Sequence, residues 1–501
     1  DILRATAEPT RGLRDRPAMD FQRPVAQPRH VVAAAHREGQ ITLADARLRR
    51  CVLASFQDAG GTELPLAGAA VATSGGGSGR ARPPPGVASV EGDRDGRLYI
   101  SATLGGRVAV HRIGSSRPPP LAVMDLDLER PLNAALWDPQ DQVRAACVGP
   151  TRMAVEVFDL ERCTSGRRPQ LRLRAAHRAP IPDEGLLDAL YPRGGRYAGG
   201  SGVCAVSQRG GVFLWDPRAK HDKPVWTHAP PAAHERRARL DRVRSLDASP
   251  CGHLLYGGTA SGVVCEWDLR AGRRAGTFGS HGQLQFPSRR FNLQAAVAAA
   301  VTDEVDMETL WRSEGEVQRS IAALRLDPSA PHRLGFQLTC GRSGVFDLQR
   351  SPLVTHMHIP SPAGRAGRPT WALGGHTFCV GAEGGAFLLD AYPGSAAATS
   401  SREKDSERPL GPQGGVYVPI GRGEYPVTCL AENPHTSDLI VGCVGGAEGG
   451  RPGYAPRLHV LGTGYATSTG GVSGEEDGEG EEDFPAAEQW QQGSSGDLNR
   501  G

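Results

Sequence analysis

Two short segments of the chain place an arginine two residues after a Trp-Asp pair. They are WDPR, which ends at Arg218, and WDLR, which ends at Arg270. A guanidinium group can donate two parallel hydrogen bonds to a carboxylate, and it also bonds backbone carbonyls. Arg218 and Arg270, with Asp216 and Asp268 beside them, are therefore candidates for contacts with a partner.

Motifs for catalysis are missing from the sequence. No nucleophile elbow, phosphate-binding loop, zinc-protease helix or dinucleotide fingerprint occurs in a suitable context. His356 and His358 would share one face of a strand, but two histidines without a third ligand do not make a zinc site. We therefore predict no catalytic, metal or cofactor site, and a protein that is not an enzyme.

Arginines cluster in residues 234–244, with the sequence HERRARLDRVR. Such a stretch can contact phosphates or an acidic partner, but at the entry to a strand it is more typical of a solvated rim. No aromatic residues alternate with the arginines, so a platform for stacking bases is missing. These features favour proteins over nucleic acid as partners.

The residues around the two Trp-Asp pairs form a repeat. Each pair is preceded by an apolar run, a small-residue turn and a second apolar run, which is typical of a β-hairpin. Asp216 and Asp268 lie 52 residues apart, near the roughly 40–45 of one four-stranded propeller blade. Weaker copies end in Phe158-Asp159, Phe346-Asp347 and Leu389-Asp390.

Counting all copies gives eight hairpin-bearing units and predicts an all-β propeller. We favour seven blades, because closure usually divides one blade between the first and last segments, which removes exposed strand edges. The first unit, residues 30–56, and the eighth, residues 427–460, would then share a blade; eight blades is the alternative. Recurring Gly-Gly pairs, including Gly257-Gly258, are predicted to be turns that need a positive φ.

Trp215-Asp216 and Trp267-Asp268 resemble the closing dipeptides of WD-repeat β-propellers. That family places a histidine upstream of the tryptophan, where His177 and His234 stand here, but the aspartate of its tight turn is missing in both copies. The resemblance therefore implies an incomplete polar network around each tryptophan.

The doubled WDxR pattern resembles substrate receptors of cullin-4 RING ubiquitin ligases. In that family the arginines dock on a damaged-DNA-binding-protein adaptor, so the resemblance assigns partner binding to Arg218, Arg270, Asp216 and Asp268. It implies a non-catalytic interaction scaffold. The alternative is a structural propeller subunit of a larger RNA-processing, trafficking or ciliary complex.

Composition outside the repeats sets the expected domain limits. Residues 1–29 carry proline and arginine without periodicity and are predicted to be flexible, and residues 30–465 to form the propeller. Apolar residues recur every fourth position from Leu293 to Val305, which predicts a helical insertion at about 291–313 that packs on the propeller rim. Residues 466–501 are predicted to be a disordered tail, because positions 475–483 read EEDGEGEED.

The ten cysteines include no CxxC pair and are interpreted as small core residues in a reducing, intracellular compartment, nucleus or cytoplasm. No apolar run is long enough to span a membrane, and the first residues do not resemble a signal peptide. The chain begins without methionine, so we expect that it is a fragment and that targeting information upstream is missing.

Overall fold

A computed structural model describes fifteen segments of the chain between residues 56 and 462. They are residues 56–63, 86–112, 121–160, 171–174, 184–192, 202–216, 222–228, 242–270, 283–300, 320–349, 354–358, 368–391, 415–421, 426–444 and 456–462, without positions 94, 129, 142, 285, 286, 434 and 435. The predicted flexible N-terminal segment and the predicted acidic tail lie outside the described residues.

Twenty-nine strands and one helix make up the described regular structure. The strands are β1 (Gln57–Glu63), β2 (Val87–Gly92), β3 (Leu98–Thr103), β4 (Arg107–Arg112), β5 (Leu121–Asp127), β6 (Ala134–Trp137), β7 (Arg144–Val148), β8 (Ala154–Asp159), β9 (Leu171–Arg174), β10 (Leu186–Leu190), β11 (Val203–Ser207), β12 (Val212–Trp215), β13 (Trp226–His228), β14 (Val243–Ala248), β15 (Leu254–Thr259), β16 (Val263–Asp268), β17 (Gln283–Leu284), β18 (Arg289–Asn292), β19 (Ile321–Leu326), β20 (Arg333–Leu338), β21 (Arg342–Asp347), β22 (Val354–His358), β23 (Thr370–Ala372), β24 (Thr377–Ala382), β25 (Gly385–Asp390), β26 (Gly415–Pro419), β27 (Val427–Glu432), β28 (Leu439–Cys443) and β29 (Arg457–Gly462). The helix is α1 (Leu293–Ala300).

The strands form seven sheets, which are the blades of a β-propeller. Each blade has four antiparallel strands, and in blade 3 the short strand β17 adds a parallel fifth strand beside β13. Blades 1 and 2 are β2–β5 and β6–β9, blade 3 is β10–β13, and blade 4 is β14, β15, β16 and β18. Blades 5 and 6 are β19–β22 and β23–β26, and blade 7 combines β27–β29 with β1. The seven-bladed prediction is confirmed, and the alternative of eight is wrong because the first described strand completes the last blade.

The first strands of the blades contact one another in a closed ring around a central channel. Side chains of β2 accept hydrogen bonds from backbone amides of β6, Ser89 Oγ from Ala135 N and Glu91 Oε2 from Trp137 N. Because the contacts follow the same order on both strands, these neighbouring first strands run in the same direction. We call the end with the turns between first and second strands, such as 249–253, the first-turn face. The end with the turns between second and third strands, such as 260–262, is the second-turn face.

The core is a ring of apolar layers, one between each pair of neighbouring blades. Side chains that alternate along a strand point to opposite faces of the sheet, so each blade contributes to the layers on both sides. Phe158 packs towards blade 1, Trp215 towards blade 2, Trp267 towards blade 3 and Phe346 towards blade 4. Every third-strand aromatic of the repeat thus fills the layer that its blade shares with the preceding one.

Blade 7 closes the ring with a strand from the other end of the domain. β1 pairs antiparallel with β29, and Gly61 lies opposite His459. This pairing covers the edge of β29. Of the predicted first hairpin at residues 30–56, only Phe56 is described, and it is buried among apolar residues of blades 6 and 7.

The insertion between blades 4 and 5 contains the only helix among the described residues. α1 follows directly on β18, so Phe291 and Asn292 belong to a strand, and residues 301–319 of the insertion lie outside the described residues. The Asn292 side chain accepts a hydrogen bond from Ala295 N at 2.9 Å and caps the helix. Leu293 and Val297 are buried among residues of blades 4 and 5, in agreement with packing on the propeller.

The expectation that Gly257-Gly258 forms a turn is wrong. Both residues lie within β15, and neither has a positive φ. A Cβ at Gly257 would come within 2.8 Å of the Trp267 ring, and one at Gly258 within 2.5 Å of Ile321. These glycines leave room for large side chains in the interblade layers, whereas Gly210 and Gly262 do occupy turns with a positive φ.

Candidate partner-binding site

The two tryptophans of the Trp-Asp pairs are structural. Each is only 1% exposed and lies in an interblade layer. Trp215 Nε1 donates to the carbonyl oxygen of Arg174 at 3.2 Å. Trp267 stacks edge-on against Trp226, and its buried Nε1 has no hydrogen-bond partner among the described residues. His177 and His234 lie outside the described residues, so the incomplete polar network implied by the family resemblance stays a prediction.

The aspartates that follow these tryptophans reach the first-turn face. Asp268 ends β16 opposite Leu254, the residue that follows the first turn of blade 4. Asp216 comes directly after Trp215, the last residue of β12 in blade 3. Because the two strands are equivalent in consecutive blades, both Trp-Asp dipeptides lie at the same face.

Asp268 and Arg270 form a bidentate ion pair within one turn of chain. Arg270 Nε donates to Asp268 Oδ1 at 2.9 Å and Nη2 donates to Oδ2 at 2.7 Å, while Arg270 N also donates to Oδ1 at 2.9 Å. The bonds from Arg270 lower the pKa of the Asp268 carboxyl. The arginine side chain is 61% exposed, so this pair holds an exposed guanidinium group in one orientation.

Of the four residues predicted to bind a partner, the structure describes three. It brings Asp268 and Arg270 together and places Asp216 at the matching position one blade earlier. Arg218 lies outside the described residues. Which groups contact a partner stays a prediction.

A polar contact across the central channel was not predicted from the sequence. Arg368 lies beside Cys429 at the junction of blades 6 and 7, and its Nη2 forms an ion pair with Asp188 on β10 of blade 3. In a ring of seven, blade 3 lies opposite that junction, so the arginine side chain spans the channel. Asp188 also accepts a hydrogen bond from Leu246 N of blade 4 at 3.4 Å. No sequence motif indicates this pair, because 180 residues separate its members.

The structure also describes some of the other residues that were considered for chemistry. His356 and His358 lie on β22, and no group of His, Cys, Asp or Glu suited to a metal ion occurs in the described segments. Six of the eight described cysteines are buried and all eight are free thiols. Within the same segments, no helix is long and apolar enough to cross a membrane. Of the basic stretch 234–244, only residues 242–244 are described, and Arg244 is exposed on β14.

Comparisons with known proteins identify no family for this chain and add nothing about the site. No protein-family model matches the sequence, and no curated protein matches it. Among solved structures, the chain is similar to the β-propeller domain of Cps50 (Swd1) from Myceliophteria thermophila, with 12% identity and a TM-score of 0.46 over 74% of this chain and 95% of that one. The described residues themselves form a seven-bladed β-propeller whose Trp-Asp dipeptides end third strands, the position they take in WD-repeat propellers.

Proposed function

We propose that this propeller is a non-catalytic protein-interaction scaffold that binds its partner through the first-turn face of blades 3 and 4. The observation that supports this proposal is the exposed Arg270 guanidinium, held by Asp268 at the end of a third strand. The preceding blade carries the same WDxR sequence, so two arginines would leave one face on adjacent blades.

The ion pair with Asp268 orders the Arg270 side chain and leaves some of its N–H donors available for a partner. A guanidinium has five N–H donors, and Asp268 uses Nε and one N–H of Nη2. The remaining donors can reach a partner's carboxylate or backbone carbonyls. Because the side chain is already ordered, binding loses less rotamer entropy than it would with an unpaired arginine.

The more specific form of the proposal is that the protein is a substrate receptor of a cullin-4 RING ubiquitin ligase. It is supported by the resemblance of the doubled WDxR pattern in Arg218 and Arg270 to that class of receptor. The adaptor would dock on the first-turn face, and other surfaces would remain for the substrate.

The test is capture of the adaptor by the tagged full-length chain, followed by mass spectrometry of the co-purified proteins. We expect the unmodified chain to retain the damaged-DNA-binding-protein adaptor, and the double substitution of Arg218→Ala and Arg270→Ala to lose it. Circular dichroism and the melting temperature should be unchanged, because Arg270 is exposed and contributes no core contact.

The matched control is Arg97→Ala, which removes an exposed arginine from the first-turn face of blade 1. It should retain the adaptor. Adaptor capture by the double variant, or none by the unmodified chain, would contradict the ligase assignment. A stoichiometric multi-subunit complex without the adaptor would instead support the structural-subunit alternative.

A further inference from the structure

An arginine cluster lies around one buried carboxylate in blade 2. Glu156 lies on β8, and its side chain is only 3% exposed. Arg152 comes from the turn before β8, Arg172 lies opposite Glu156 on β9, and Arg130 comes from the connection between blades 1 and 2. We call these four residues the Glu156 cluster.

Both carboxylate oxygens of Glu156 are occupied. Oε1 accepts from Arg152 Nη1 at 2.7 Å and from Arg172 Nε at 3.0 Å, while Oε2 pairs with Arg130 Nη2. Three guanidinium groups therefore surround one carboxylate, which leaves an excess of two positive charges within this cluster.

Burial and the excess charge both affect the pKa of Arg130. Burial, together with the charges of Arg152 and Arg172, lowers its pKa to about 10. Arg130 is still protonated at neutral pH, so the three guanidinium groups repel one another. An additional anion beside them would reduce that repulsion.

The backbone beneath the cluster is closely packed. A Cβ on Gly106, whose φ is +104°, would lie 2.2 Å from the carbonyl oxygen of Arg130, and one on Gly149 would lie 2.3 Å from that of Pro131. The connection that carries Arg130 is thus fixed against two turns of the second-turn face. Above it, the side chains of Arg152 and Arg172 are 46% and 41% exposed.

Neighbouring arginines differ from the cluster because each is matched by its own carboxylate. Arg174 pairs with Asp222 at 3.7 Å and Arg209 pairs with Glu184 at 3.3 Å. The excess positive charge is therefore local to the Glu156 cluster among these described pairs. Tracking a nucleic-acid backbone typically takes about six to ten phosphate contacts, whereas two half-exposed guanidinium groups suit one or two acidic side chains.

We propose that the Glu156 cluster is a second binding site, on blade 2, for an acidic side chain of a partner protein, either a carboxylate or a phosphorylated serine. Arg152 and Arg172 would supply bidentate hydrogen bonds to its oxygens, and Glu156 would hold both arginines in place. The site is separate from Arg270 and does not depend on the scaffold's adaptor.

The test is fluorescence anisotropy of the full chain with three labelled peptides that differ at one position, carrying glutamate, phosphoserine or serine. We expect at least one acidic peptide to bind tenfold or more tightly than the serine peptide. The double substitution of Arg152→Ala and Arg172→Ala should weaken that binding by about tenfold or more, since charge-assisted hydrogen bonds are lost.

Two further variants separate binding from folding. The double substitution of Arg152→Lys and Arg172→Lys keeps both positive charges but removes the paired N–H donors of the guanidinium groups. This variant should bind the acidic peptide with intermediate affinity and retain the melting temperature of the unmodified chain. Arg97→Ala should bind as the unmodified chain does. The proposal would be overturned if all three peptides bound equally, or if the alanine variant bound the acidic peptide with full affinity. It would also be overturned if the chain bound a DNA duplex in preference to the peptides and this binding depended on Arg152 and Arg172. The alanine variant should still capture the adaptor, so failure here is distinct from failure of the ligase assignment.

Discussion

At the scale of single residues, Glu432 shows how burial raises the pKa of a carboxyl group. It is the last residue of β27, and its Oε1 accepts a hydrogen bond from Leu373 N of blade 6 at 2.6 Å. Leu373 has a φ of 54°, which is rare for a residue with a side chain, so this bond holds a strained turn. Burial raises the pKa of Glu432 to about 7, against the opposing effect of the Leu373 hydrogen bond.

This raised pKa predicts that stability depends on pH. The unfolded chain releases the proton near 4.5 and the folded chain near 7, so the contribution of the neutral carboxyl is fully present below pH 4.5 and is lost as the pH rises through 7. Glu432→Gln cannot ionise, and its amide oxygen can still accept from Leu373 N. We expect the variant to match the unmodified chain at pH 5 and to exceed it at pH 8 by up to about 3 kcal/mol.

Urea unfolding at both pH values measures this difference. Glu383→Gln is the matched control, because Glu383 is an exposed carboxylate in a turn of the neighbouring blade, and it should unfold as the unmodified chain does. An equal effect of Glu432→Gln at pH 5 and pH 8 would show that ionisation of Glu432 is not responsible.

At the scale of elements, α1 is attached to the propeller by one apolar face. Val297 is 1% exposed and lies in the layer that includes Ile321 and Phe336, whereas Ala295 on the same helix is exposed. A helix of eight residues has too few internal hydrogen bonds to be stable alone. Its stability must therefore come from this contact.

Two substitutions in α1 test that dependence. Val297→Asp would place an unpaired charge in the layer between blades 4 and 5, and we expect it to lower the free energy of unfolding by more than about 3 kcal/mol. Ala295→Asp puts the same side chain in the first turn, where the helix dipole favours a negative charge, so it should be neutral or slightly stabilising. Equal stability of the two variants in urea would contradict packing of α1 on the propeller.

The elements differ in how well the sequence predicts them. Second and third strands such as β15 and β16 are buried, so their apolar runs are easy to recognise. Outer strands such as β13 are short and partly exposed, and they carry no comparable pattern. β1 has the sequence QDAGGTE, in which apolar and polar residues do not alternate. Its position is determined by pairing with β29, so the sequence does not indicate this strand.

The candidate sites also differ in how well the sequence predicts them. The pair of Asp268 and Arg270 is local, so its spacing in the sequence indicates it directly. Arg130 and Arg172 approach Glu156 only because blade geometry brings separate strands and connections together. Such pairings have no signature in a single sequence and become visible with the fold.

At the scale of the whole molecule, the side chain of Asp58 connects the strands at which the ring of blades closes. Asp58 on β1 accepts a hydrogen bond from Gly421 N at 2.8 Å, and it lies 3.1 Å from His459 Nδ1 of β29. The Asp58 side chain therefore connects the first described strand both to blade 7 and to the end of blade 6. Because β1 has little apolar character, its pairing depends on backbone hydrogen bonds and on this carboxylate.

Asp58→Ala should therefore weaken closure of the ring. It leaves the buried His459 and the Gly421 amide without this acceptor, and we expect the free energy of unfolding to fall by about 1–3 kcal/mol. Hydrogen exchange should accelerate first at the amides of β1 and β29, because these strands form the seam of the ring. Asp95→Ala, which removes an exposed aspartate from a turn of blade 1, should change neither measurement. If exchange instead accelerated uniformly over all blades, the ring would open as one cooperative unit and the seam would not be its weakest point.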